Sequence, residues 1–381
     1  MLRHVLYAAA LAGPVLPPPG WVAFTKAFDA YADSDHVVGA SVVVLRHGQI
    51  VAHHEHGLQD AAAREPVTER TIDHWGSITK TLTAIAIMQL RDRGRLSLDD
   101  PVTRWVPELR AVHDPFGSID SVTVGMLLSH AGGFQNPTWP YTDGKPWQPF
   151  EPTTWQQLVA MMPYQELRFR PGSRFGYSNP GFIYLARIIQ LITGDAWGTY
   201  VQKNILTPLG LTHSYFGVTP YHLARDRSNN YTVTPDSTVA NGRDFDPGIT
   251  IPNGGWNAPL SDLAIYAAFL TGAAPNDDVL RQSTLHEMWR PRFPTAPDTE
   301  DESAYGEQIG LSFFTVPHDG ATFVGHMGAQ AGFRALIYLN PRTGDVVIAN
   351  FNTRNDAHPE TSYRGLLAVR DAALDLIGDH H

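Results

Sequence analysis

The sequence predicts an α/β fold: an antiparallel sheet flanked by helices, with a mostly helical lobe inserted into it. Three observations carry that prediction. β-rich runs separated by turn residues cluster near both ends of the chain, helical periodicity fills the middle, and the strand runs read as hairpins, which suit antiparallel pairing. The division expected is an N-terminal arm over residues 1–20, an α/β lobe from 21–97 together with 262–381, and the helical lobe from 98–261.

Taken in order, Arg3 and His4 precede a short apolar stretch, Val5 to Leu16, broken by Pro14 and followed by Pro17-Pro18-Pro19-Gly20. It is similar to a weak secretory signal, with Ala10 and Ala12 at a cleavage-like spacing, and reads equally as an arm packed on the domain. The compartment is left open between cytoplasmic and periplasmic or secreted, and the stretch is too short to span a bilayer. Trp21 to Ala32 reads as a helix. Val42 to Leu45 and Ile50 to His54 form a hairpin around Arg46-His47-Gly48-Gln49. A helical run headed by Ser77 carries Leu82, Ile85, Ile87, Met88 and Leu90 and stops at Gly94. Val124 to His130 is a short helix entered by Thr123. Phe182, Leu185, Ile188, Ile189 and Ile192 form another, with Asn179 as cap, Pro180 at the first position and Gly194 as stop. Strands follow at Leu311 to Val316, Phe323 to Val324, Phe333 to Leu339 and Val346 to Phe351, and Leu366 to Ile377 closes the chain as a helix. Two long irregular stretches, Asn136 to Thr153 with five prolines and Pro235 to Asn257, read as walls or lids of a site.

Composition removes several classes of function. A net charge of −10 with no basic run argues against nucleic acid as a partner. The absence of cysteine excludes disulfides, thiolate catalysis and cysteine metal sites. Ala52-His53-His54-Glu55-His56 invites a metal reading, but in a strand His54 and His56 face one side and His53 and Glu55 the other, with no further ligand spacing, so no metal is expected. No Gly-x-Gly-x-x-Gly follows a strand and no Gly-x-Ser-x-Gly elbow is present, which speaks against a nucleotide cofactor and an α/β-hydrolase.

The chemistry centres on Trp75-Gly76-Ser77-Ile78-Thr79-Lys80, because among only four lysines Lys80 alone follows a serine by three residues. That spacing puts both side chains on one helical face, where an amine held partly neutral by burial can activate a hydroxyl. Four other segments bear on it: Gly176-Tyr177-Ser178-Asn179, Gly325-His326-Met327-Gly328-Ala329, Leu127-Leu128-Ser129-His130-Ala131-Gly132-Gly133-Phe134 and Pro208-Leu209-Gly210-Leu211. Singly, each also fits an ordinary role such as a helix cap, a core aromatic, a strand histidine or a helix stop.

Together and in this order they resemble the serine β-lactamase and penicillin-binding-protein superfamily, in particular its class C β-lactamase-like branch of family VIII esterases, D-aminopeptidases and D,D-carboxypeptidases. Ser77-Ile78-Thr79-Lys80 matches Ser-x-x-Lys, Tyr177-Ser178-Asn179 matches Tyr-x-Asn, and His326-Met327-Gly328 stands in the place of Lys-Thr-Gly. The resemblance runs from about residue 21 to 377 and implies a β-lactamase-like fold. It implies a nucleophile at Ser77, a proton-handling pair in Lys80 and Tyr177, an oxyanion hole from the N–H groups of Ser77 and Ala329, and substrate positioning by Asn179, His326 and Gly328. No cofactor is required. His326 supplies no fixed cation for a carboxylate, and the loop bearing Trp139 and Trp147 offers an apolar wall, so the reading favours a carboxylesterase acting on small or medium neutral esters. A D-aminopeptidase or D,D-carboxypeptidase-type amidase and a β-lactamase are the alternatives, with a catalytically silent binding protein behind them. The partner expected is a small-molecule ester or amide; oligomeric state is not legible.

Overall fold

The computed structural model describes residues 16–134, 152–295 and 305–378. Its frame is a nine-stranded sheet. In chain order the strands are β1 (Gly39–Arg46), β2 (Gln49–Asp60), β3 (Glu65–Pro66), β4 (Phe293–Pro294), β5 (Gln308–Ile309), β6 (Phe314–His318), β7 (Ala321–Gln330), β8 (Phe333–Leu339) and β9 (Val346–Phe351). They lie side by side as β3-β2-β1-β9-β8-β7-β6-β5-β4, every neighbouring pair antiparallel, so the first and last thirds of the chain meet at the β1–β9 seam.

Turn chemistry sets the registers. His47 and Gly48 both take positive φ (49° and 75°) between the paired Arg46 and Gln49, the backbone twist that a two-residue hairpin needs. Asp319 and Gly320 do the same between β6 and β7. Each edge of the sheet is a two-residue strand containing a proline, Pro66 on one side and Pro294 on the other.

Both faces of the sheet are covered. Val43, Leu45, Ile337, Leu339 and Ile348 point into the core built around α2 (Thr79–Asp92), α3 (Asn179–Thr193) and α4 (Leu260–Thr271). Val42, Val44, Leu336, Tyr338, Val347 and Ala349 point the other way, onto α1 (Trp21–Ser34) and α5 (Pro359–Leu376). Two buried faces explain why β8 and β9 read as apolar runs without alternation. All of α2 from Thr79 to Leu90 is buried, so its polar residues must find partners inside the protein.

Several boundaries differ from the sequence expectation. The hairpin strands extend to Gly39 and Asp60, and β7 runs to Gln330, placing His326 within a strand rather than at its end. The cap of α3 is Ser178, whose hydroxyl accepts the Gly181 N–H, while Asn179 and Pro180 already lie in the first turn. The strand expected from Leu311 begins only at Phe314, because Ser312 sits at φ 66° and ends the extended run. Pro235 to Asn257 is not structureless. It holds the strand Thr238–Gly242 paired with Asn230–Val233, a helical turn at Ile251–Gly254, and the start of the strand Trp256–Pro259. That last strand joins Ile72–His74 and Tyr215–Phe216 in a small sheet directly before Ser77. Residues 1–15 and most of the stretch from Asn136 to Thr153, including Trp139 and Trp147, lie outside the described residues. Among those described, no helix is long and apolar enough to cross a membrane.

Candidate active site

Ser77 stands on a single 3-10 turn, Gly76–Ile78, inserted between the small sheet and α2. Trp75 anchors this turn: its ring is fully buried, its indole N–H donates to Ala258 O at 2.9 Å, and its amide donates to Trp256 O. Two glycines then allow the turn to touch β7. Gly76 has φ 50°, and a Cβ there would lie 2.8 Å from Ala329 N; a Cβ on Gly328 would lie 2.1 Å from Trp75 O and 3.2 Å from Ser77 N. The backbone N–H groups of Ser77 and Ala329 therefore belong to two segments in van der Waals contact.

One turn on, Lys80 is fully buried and donates to Ser77 Oγ at 2.9 Å and to the backbone carbonyl of Asn253 at 2.8 Å. Its Nζ lies 4.9 Å from the Tyr177 ring centroid and 5.6 Å from that of Phe182. Among the described residues no carboxylate pairs with it. Burial pushes its pKa well below the ordinary lysine value, because an ammonium here would lose its hydration without gaining a counter-ion. A neutral amine at hydrogen-bond distance from a hydroxyl can accept that hydroxyl's proton. Asn253 reaches Lys80 because the Ile251–Gly254 turn packs on α2, where Thr83 Oγ1 donates to Pro252 O at 2.6 Å. Asn179 enters the same corner, its Oδ1 accepting from Asn253 Nδ2 at 3.2 Å. Asn179 thus touches the residue whose backbone carbonyl receives Lys80.

Tyr177, 5% exposed, sits between two histidines. On one side His130 stacks on its ring at 4.3 Å and 23°; on the other His326 lies 6.5 Å away with Tyr305 and Phe314 packed around it. His326 is fully buried and its Nδ1–H donates to Met327 O, which leaves Nε2 as a bare acceptor. Burial, reinforced by nearby Lys80, lowers its pKa to about 3. The imidazole is therefore neutral throughout the working range.

The structure brings Ser77, Lys80, Tyr177, Asn179, His326, Gly328 and Ala329 into one corner; Trp139 and Trp147 are outside the described residues. Sequence reasoning missed the Asn253 carbonyl, a backbone group with no side-chain pattern to announce it. It also gave His130 no role, although its segment was singled out. The His53–His56 run has a plain explanation, since His54 Nε2 and His56 Nδ1 both bond Asp29 Oδ1, at 2.8 and 3.0 Å, and tie β2 to α1.

The fold is an antiparallel sheet covered by helices on both faces, with the Ser77–Lys80 pair set against its strand β7. Residues 24–370 match the Beta-lactamase family, and the chain belongs to it. Protein flp of Staphylococcus aureus is 25% identical over 320 residues, covering 84% of this chain and 60% of its own, so the chain spans about three fifths of that relative's length. Esterase EstB of Burkholderia gladioli is 30% identical over 312 residues, 74% of each chain. Among solved structures, the octameric penicillin-binding protein homologue from Pyrococcus abyssi superposes with a TM-score of 0.76 at 28% identity, covering 93% of this chain and 77% of that one.

Proposed function

We propose that the protein is a carboxylesterase that cleaves small or medium neutral esters through an acyl-enzyme on Ser77. The observation that carries this reading is Lys80, buried with no carboxylate partner among the described residues and 2.9 Å from Ser77 Oγ. As Oγ bonds to the ester carbonyl carbon, its proton passes to the Lys80–Tyr177 pair, which titrates as one unit. The carbonyl π electrons move onto oxygen, where the N–H groups of Ser77 and Ala329 stabilise the charge. Collapse breaks the C–O bond, and Tyr177 delivers a proton to the departing alkoxide. Water then attacks the acyl carbon, gives its proton to the same pair, and the second collapse returns a proton to Ser77 Oγ and frees the acid. Asn179 and the Gly328–Ala329 strand orient the substrate.

The preference for neutral esters is supported by a neutral His326 where a fixed cation would otherwise read a carboxylate, and by similarity to an esterase. The test is kcat/KM for a short-chain p-nitrophenyl ester beside a D-alanyl amide and a chromogenic cephalosporin. The ester should lead by at least about 10-fold, the discrimination expected from a missing charged contact of roughly 1.4 kcal/mol. A lead for the amide or the cephalosporin would overturn the esterase reading while leaving acyl transfer by Ser77 intact.

A further inference from the structure

His130 ends the short helix Val124–Leu128 at φ 54°, a left-handed conformation that a histidine holds only when its surroundings fix it. What fixes it is the segment that carries Tyr177. The His130 carbonyl accepts the Gly176 N–H at 2.9 Å, and its Nδ1 accepts the Ser178 N–H at 3.0 Å. The residues on either side of Tyr177 therefore both hang on one histidine, whose ring in turn stacks on the phenol at 4.3 Å. Phe182 at 5.1 Å and Phe175 at 5.8 Å hold the imidazole from other sides, and it is 1% exposed.

The tautomer follows from these contacts. Because Nδ1 accepts an amide N–H, the ring proton is on Nε2, and a protonated imidazole would release Ser178. Burial first, then repulsion from any proton taken up by nearby Lys80 or His326, keeps the pKa well below the ordinary histidine value, so the acceptor persists. The groups that face His130 are thus Lys80, His326 and Tyr177.

We infer that His130 is the positioning residue for Tyr177: its two hydrogen bonds and its stacked ring set the phenol's place beside Lys80 Nζ. The kinetic consequence rests on the proposed hydrolase reading; the hold on Tyr177 does not. Misplacing a reacting group by about 1 Å can lower the rate about 100-fold while binding is little changed.

Three variants separate the contributions. His130→Asn keeps a side-chain acceptor and tolerates positive φ but removes the ring; His130→Phe keeps a ring and removes the acceptor; His130→Ala removes both. Two quantities are read: kcat and KM on a neutral ester, and the midpoint of Tyr177 ionisation from phenolate absorbance, taken as the difference from the same protein carrying Tyr177→Phe. Expected are kcat losses of about 100-fold in the Phe and Ala variants with KM within about 3-fold, a loss of about 10-fold or less in the Asn variant, and a displaced Tyr177 midpoint in the Phe and Ala variants only. Parental kcat and midpoint in His130→Phe would overturn the inference. So would equal losses in the Asn and Phe variants with an unmoved midpoint, which describe a merely structural residue. If the parent protein turns over no ester, the hydrolase reading fails, and the ionisation midpoints alone decide whether His130 holds Tyr177.

Discussion

Lys203 and Lys80 are the same side chain in two environments. Lys203 lies on a helical turn at the surface, 60% exposed, with Nζ 2.9 and 3.0 Å from the two carboxylate oxygens of Asp195. Lys80 lies in the first turn of α2, fully buried, with a hydroxyl and a backbone carbonyl as its polar partners. Water and a carboxylate surround the first, an exposed ion pair of little consequence to stability. Burial with no carboxylate partner among the described residues makes the second a group for which holding a proton is costly, so that its resting form is the free amine. Residue type does not tell the two apart; among the described residues, the presence or absence of a carboxylate partner does.

The sharpest way to break this contrast is at the hydroxyl that Lys80 touches. Ser77→Ala should lower ester turnover by at least about 10⁴-fold and abolish labelling by a serine-reactive phosphonate, with the fold unchanged by circular dichroism. A label located on another residue by mass spectrometry would remove Ser77 from the mechanism.

Next in size, Lys80→Ala and Tyr177→Phe should each cost about 10³-fold in kcat, and the double variant little more, because the pair handles one proton. Multiplying losses would mean that the two act in separate steps.

His326 offers a smaller effect. Its pKa of about 3 predicts that the ratio of kcat/KM for an anionic to a neutral substrate stays flat between about pH 5 and 8, a window in which an ordinary histidine would titrate. His326→Lys should raise that ratio about 10-fold at neutral pH, the effect of one new charge-assisted contact.

Stability gives the comparison in reverse. The unfolded chain carries a protonated Lys80 below about pH 10.4, while the folded protein holds it neutral down to its depressed pKa. The unfolded state thus binds the extra proton, and Lys80 weakens the fold throughout that window. Lys80→Met should raise the melting temperature at neutral pH, with the gain shrinking as pH rises toward about 10.4. Lys203→Met should change stability by no more than about 0.5 kcal/mol. A Lys203 variant that rivals the Lys80 variant in either assay would show that burial is not what separates them.

Much of the corner was legible because its residues lie in short local patterns. Ser77 and Lys80 are one turn apart, Tyr177 and Asn179 flank the start of α3, and His326 and Gly328 are neighbours on one strand. What escaped depends on distant backbone. The Asn253 carbonyl that receives Lys80 comes from 173 residues away, and His130 meets Tyr177 across 47 positions, through amides whose partners no side-chain pattern encodes. The cap of α3 was misplaced by one residue for a related reason: Asn179 and Ser178 are both good caps, and the choice was made by the extended backbone of Ser178, at φ −138°, that the link to His130 supports. In the sheet, the strand cores were readable and their ends were not, since ladder pairing carried β2 and β7 well beyond their apolar centres.

The two-residue rims of the sheet bear on how copies of this protein meet. Strand addition needs a stretch of unpaired amides in extended chain, and a proline on each rim removes a donor where a neighbouring chain would zip up. Among the described residues neither rim offers a template for fibril growth. Growth of the large sheet by strand addition at these two rims is therefore disfavoured, and β7, the strand that carries Ala329, stays in the sheet's interior.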